Sequence, residues 1–167
     1  MPKYNVGIDV GMKGAIAILE KEQVPGEERI LETAHIYDMP EKHNFRDIEK
    51  ILIAIPNDEV RVIIEAQNPF PGQGVKSVYS LGWQVGYLNA LLDYLKMPYE
   101  EVRSATWMKF YGLKGKKHVD GKQALFNKAQ KLYPYAELRG PKGALKDGRV
   151  DALLMCHYLM LKYKTRD

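Results

Sequence analysis

The chain has 167 residues, 46% of them hydrophobic, with a net charge of +4. That is enough for one domain with a buried core, and it excludes the collagenous, low-complexity and disordered classes. A single cysteine, Cys156, rules out an internal disulfide and fits a reducing compartment. The N-terminus reaches Asp9 before a long apolar run builds up, and the longest apolar stretch, 152–161, is too short to cross a bilayer. The expectation is one soluble, cytoplasmic domain spanning 1–167.

The small net charge hides an asymmetry. Residues 1–102 carry a net −6, residues 103–149 a net +9, and the last eighteen residues add +1. A block this basic is an electrostatic footprint for a polyanion. A solvated lysine-rich surface is the ordinary alternative.

In chain order, Tyr4–Val10 and Ala15–Leu19 are β-rich runs around a glycine-containing turn, which predicts a hairpin. Pro25-Gly26 marks a turn, and 29–37 reads as a third strand. Asn44 and Asp47 resemble a helix start, Ile48, Ile51, Leu52 and Ile55 repeat at helical spacing, and Pro56-Asn57 stops the helix. The apolar run 60–64 suits a buried parallel strand. A Pro/Gly loop over 68–74 precedes a long helix over 75–95, and a fifth strand ends at Val102. A short helix over 106–111, a basic glycine-containing loop over 112–121, and helices over 123–133 and 150–162 complete the chain. This order predicts an α/β fold, a five-stranded mixed sheet flanked by helices.

Four acids stand out against this pattern. Asp9 sits inside a hydrophobic strand, where a carboxylate needs a cation or strong hydrogen bonds. Glu65 ends the run 61–65, where a strand delivers its side chain to the rim of a sheet. Asp147 and Asp151, four apart at the start of the last helix, share one helix face. Each has an ordinary explanation taken singly: a turn residue, a solvated strand end, an N-cap and a helix-dipole acid. Gathered together they repel unless a divalent cation lies among them, and oxygen ligands suit Mg²⁺ or Mn²⁺. Two such ions roughly 4 Å apart would serve phosphodiester cleavage.

The motifs carry a resemblance. Gly7-Ile8-Asp9-Val10-Gly11 with Gly14-Ala15-Ile16-Ala17 looks like the opening of the RuvC resolvases, especially the short phage-type members. Ile64-Glu65, Pro71 and Gln73-Gly74-Val75-Lys76-Ser77 resemble the second acidic block and its following helix. Lys122, Ala129 and Leu132-Tyr133-Pro134 resemble a further stretch, and Asp147-Gly148-Arg149-Val150-Asp151-Ala152-Leu153-Leu154 the closing acidic helix. The matches run in family order over most of the chain. The resemblance implies a ribonuclease-H-like fold, a homodimer in the cytoplasm of a bacterium or phage-infected cell, and Mg²⁺-dependent resolution of four-way DNA junctions. It also implies that Asp9, Glu65, Asp147 and Asp151 hold the metals and that Lys122 is catalytic or contacts phosphate.

Two departures stand out. Bacterial members space the last two acids three apart, whereas here position 148 is glycine and the acids are four apart. Phage-type members often carry lysine after the tryptophan, where this chain has Met108 followed by Lys109.

Lys109, Lys114, Lys116, Lys117 and Lys122 surround a loop suited to following a phosphate backbone, and Lys76 and Arg149 join this DNA-contacting set from within the matched motifs. Phe70, on the loop after Glu65, is placed either to stack on an unpaired base or to pack beneath its loop. His118 and His157 receive no role. Three rivals share part of this pattern. An actin-like kinase needs a second lobe that this length does not hold. A related nuclease acting on other branched DNA or RNA–DNA hybrids keeps the same acids, whereas a DNA-binding module without catalysis is disfavoured by them, since carboxylates facing phosphate hinder pure binding.

Overall fold

The computed structural model describes residues 2–27, 30–40, 45–69, 71–113 and 119–164. Its elements are β1 (Tyr4–Asp9), β2 (Ala15–Gln23), β3 (Ile30–Asp38), α1 (Phe45–Ile53), β4 (Val60–Glu65), α2 (Val75–Tyr94), β5 (Tyr99–Val102), α3 (Ser104–Phe110), α4 (Val119–Leu132) and α5 (Asp147–Lys164). The five strands form one sheet in the order β3-β2-β1-β4-β5. β1 pairs antiparallel with β2 and parallel with β4, so the sheet changes character at β1. The fold is ribonuclease-H-like, with the mixed five-stranded sheet expected from the sequence.

Strand alternation sorts the side chains into two cores. Val6, Ile8, Ile16, Ile18, Val62 and Ile64 face one side and meet Ile48 and Leu52 of α1 and Leu88 and Leu92 of α2. Ala15, Ala17, Leu19 and Ile63 face the other, where Trp107 of α3, Phe126 and Ala129 of α4, and the apolar length of α5 cover them. α5 is apolar nearly all round because it lies at the centre of this second layer, with nine residues from Gly148 to Met160 buried. It lies close against β1. A methyl group added at Gly7 would come within 2.2 Å of the Ala152 carbonyl and 2.8 Å of the Cys156 amide. The small residues of β1 and β2 therefore set how near α5 approaches the strand ends.

Two helix starts differ from expectation by three residues or more. α4 begins at Val119 and runs through Gly121, and α5 begins at Asp147 rather than at 150. In both cases tertiary burial outweighs glycine's poor helix propensity, since Gly121 and Gly148 are both buried. No helix among the described residues is long and apolar enough to cross a membrane.

Candidate active site

Alternation places Asn5, Gly7 and Asp9 of β1 on the α5 side, opposite Val6 and Ile8. In the parallel pair Ile8 lies beside Ile64, so Asp9 and Glu65 end adjacent strands at their carboxyl ends. That is the edge at which open α/β sheets bind ligands. α5 opens there, and Asp147 and Asp151 are its first and fifth residues.

The four acids feel one another. Burial is the main force holding the Asp9 carboxyl up at about 8, followed by the charges of Glu65, Asp151 and Asp147 and a hydrogen bond with Glu65. Asp151 is pushed up to about 7, again by burial first and then by Glu65 and Asp147, with Lys122 acting in the opposite direction. Perturbed carboxyls of this kind gather at functional sites. Among the described residues no three His, Cys, Asp or Glu side chains already close around one point. Asp147 makes an ion pair with Lys122 of α4. The donor set fits a hard divalent cation: it is all oxygen, it comes from three separate segments, and burial, then the neighbouring acids, disfavours the charge on its two most buried members.

The glycine between the two α5 acids has a steric cause. A Cβ at Gly148 would stand 2.2 Å from the Lys13 carbonyl oxygen and 2.7 Å from Gly14 Cα, in the turn joining β1 to β2. Position 148 therefore admits no acid, and the spacing of four, 147 to 151, is the one this packing allows.

Glu65 is held by two donors. Trp107 Nε1–H donates to Oε1 at 3.3 Å and Gln67 Nε2–H to Oε2 at 3.4 Å. Sequence reading gave neither residue a role. The available signal was the indole itself, since a buried Trp N–H needs an acceptor, and Trp107 is fully buried.

Lys122 is exposed on α4, and its ammonium is held more firmly protonated, first by the hydrogen bond to Asp147 and then by that residue's charge. Lys76 and Lys109 are exposed on α2 and α3. Arg149, expected to contact DNA, is engaged within the protein. Its Nε and Nη2 donate to Asp38 at 2.6 and 3.1 Å, and Nη1 donates to the Glu137 and Arg139 carbonyls at 2.8 and 3.2 Å. The guanidinium is occupied within the protein, pinning the end of β3 and the loop before α5. His157 is half-buried on α5, with Tyr133 Oη 2.7 Å from Nδ1. Phe70, Lys114, Lys116, Lys117 and His118 lie outside the described residues.

The fold is that of ribonuclease-H-like chains, and solved resolvase structures share it. Thermus thermophilus RuvC in complex with a Holliday junction substrate superposes with a TM-score of 0.59 at 12% identity, covering 96% of this chain and 94% of that one. A second Thermus thermophilus RuvC structure gives 0.55 at 14% identity, covering 94% and 95%. The Fowlpox virus resolvase in complex with Holliday junction DNA gives 0.54 at 15% identity, covering 98% and 97%. No family model matches the sequence, and no curated protein matches it. The likeness to resolvases first met in the motifs thus extends to the fold over nearly the whole chain.

Proposed function

We propose that this chain is a divalent-metal-dependent endonuclease that resolves four-way DNA junctions with paired nicks. The observation that carries this reading is geometric: Asp9 and Glu65 end adjacent parallel strands at the edge where α5 begins, and α5 carries Asp147 and Asp151 in its first five residues. Solved structures of the same fold hold Holliday junction DNA. The four acids would hold Mg²⁺ or Mn²⁺, two ions per site. Bound there, the ions supply an activated water and charge stabilisation at the leaving oxygen. Asp9 and Asp151 set the depth of the site, because they are its most buried carboxyls. Lys122 supplies a permanent positive charge at its rim, where a phosphate arriving beside Asp147 exchanges one anionic partner for another. Lys76 and Lys109 give backbone contacts that position the duplex without reading its sequence.

Lys122→Ala should lower the cleavage rate by about a hundredfold, the scale of losing one donor to developing charge. Affinity should fall only about threefold, with the salt slope reduced by about one. Single-turnover rates measured beside equilibrium binding check this. Equal losses in both would make Lys122 an ordinary phosphate contact.

Paired nicks need two sites, and a two-fold homodimer supplies them. α2 buries Gln84, Leu88, Leu91 and Leu92. It turns Val75, Tyr79 and Trp83 outward at 84%, 75% and 46% exposure. Gly82, Gly86 and Ala90 are exposed on the same helix, and space around both glycines is open. Val85 packs on the core, so a charge there would strike the fold itself. Gly86→Leu is the cleaner test: it should give a folded monomer by light scattering that nicks junctions singly. A wild-type monomer at micromolar concentration with paired nicking intact would remove the dimer.

A four-way junction, a linear duplex and an RNA–DNA hybrid, each with Mg²⁺ or EDTA, test the substrate. Mg²⁺-dependent cutting confined to the junction supports the reading. Faster cutting of the hybrid would transfer the activity to the broader nuclease class, and binding without cutting would make the chain a binding module.

A further inference from the structure

The Glu65 carboxylate is oriented by a buried indole, and nothing in the proposed chemistry uses that indole directly. β4 and β5 stay paired to the end of the ladder: Glu65 lies opposite Val102, and the Ala66 amide donates to the Val102 carbonyl at 2.7 Å. α3 starts two residues after Val102, so its fourth residue, Trp107, falls beneath the end of β4. There it is fully buried, with Tyr111 edge-on at 6.5 Å between ring centroids. Tyr111 Oη in turn donates to the Leu154 carbonyl of α5 at 2.8 Å. Glu65 is thereby tied through Trp107 and Tyr111 to the helix that carries Asp147 and Asp151.

We propose that Trp107 is a positioning residue for the metal site, its Nε1–H fixing the plane and rotamer of Glu65 so that the carboxylate faces Asp9 and Asp151. This rests on the reading of the four acids as metal ligands. A carboxylate with one donor on each oxygen, Trp107 on Oε1 and Gln67 on Oε2, cannot swing out to solvent without breaking both bonds. Its remaining lone pairs stay directed at the site. Donors of this kind behind a ligand raise metal affinity by about ten- to a hundredfold. Gln67 alone does not suffice: it is partly exposed and only two residues from Glu65, so it moves with the loop that it would restrain.

Calorimetric titration with Mn²⁺ alone tests this on wild type, Trp107→Phe, and a chain carrying the benzothiophene isostere of tryptophan at position 107. The isostere keeps the ring's shape, replaces N–H by sulfur, and is introduced in a Trp83→Phe background so that one position carries it. Both changes at 107 should weaken Mn²⁺ binding by about ten- to a hundredfold, while the isostere keeps the thermal midpoint of the metal-free Trp83→Phe protein. Wild-type Mn²⁺ affinity in the isostere would overturn the proposal even if Trp107→Phe fails to fold, because ring packing alone would then be what matters. Glu65→Gln is the separate control. If it binds Mn²⁺ as wild type does, the acid cluster is not the metal site and the underlying reading fails first.

Discussion

Asp9→Asn should abolish cleavage while leaving junction binding within about threefold of wild type. Asp9 ends β1 between two neighbouring strands and is the acid on which Glu65, Asp151 and Asp147 all act. The amide keeps the size of the side chain and removes its charge, so the packing of α5 on β1 is undisturbed. What is lost is an anionic ligand for the ions. With several kcal/mol of charge stabilisation at stake, the rate should fall about a thousandfold or more. Quenched-flow cleavage in Mg²⁺ and a mobility-shift titration in Ca²⁺ separate the two effects. A variant that cuts at a near wild-type rate would show that the acid cluster is not the active site.

The metal-free protein should lose stability as pH rises from about 4 to about 8, and Mg²⁺ should restore it. Asp9 and Asp151 have folded-state values near 8 and 7, well above an ordinary carboxyl, because burial and the neighbouring acids oppose ionisation. A carboxyl raised on folding contributes most below its unfolded value, and that contribution disappears as pH climbs through the folded value. His157, half-buried beside Tyr133, is lowered to about 4 and pulls the other way between about 4 and 6.5, but one histidine offsets only one of the two raised carboxyls there. Asp38, held low by Arg149 and then Lys146, adds an acid-side loss only below the ordinary carboxyl value. From pH 6 to pH 8 the decline should amount to about 2–4 kcal/mol, since one unit is worth about 1.4 and water reaches part of the site. Denaturant titrations from pH 6 to 9 with EDTA should show the slope in wild type and a flatter profile in Asp9→Asn, which should also be the more stable at pH 8.5. Identical slopes would mean that the Asp9 carboxyl is not strained by its neighbours.

Much of this site is visible in the chain before folding because strand alternation is a strong signal. Asp9 interrupts a run whose neighbours Val6 and Ile8 are fully buried, and Glu65 closes a run containing Ile63 and Ile64. Parallel registry then brings the two ends together, and the spacing of 147 and 151 puts both acids on one helix face. What escaped sequence reading depends on contacts between distant segments. Trp107 meets Glu65 across 42 positions and Arg149 meets Asp38 across 111, and no local pattern announces either pair. The basic character of Arg149 suggested phosphate, but a guanidinium matches a carboxylate equally well. The glycine at 148 looked like a departure from the resolvase pattern until the Lys13 carbonyl showed that a side chain has no room there. The start of α5 at Asp147 follows from the same packing, which secures a turn that propensity alone leaves open.

The most direct test of the central claim is to map the nicks on a four-way junction, with each strand labelled in turn, in Mg²⁺ and in EDTA. The proposed four-acid metal site predicts Mg²⁺-dependent nicks at symmetric positions on two opposed strands, absent in EDTA and absent in Asp9→Asn. A wild-type protein that binds the junction tightly and leaves all four strands intact in Mg²⁺ and in Mn²⁺ would contradict it.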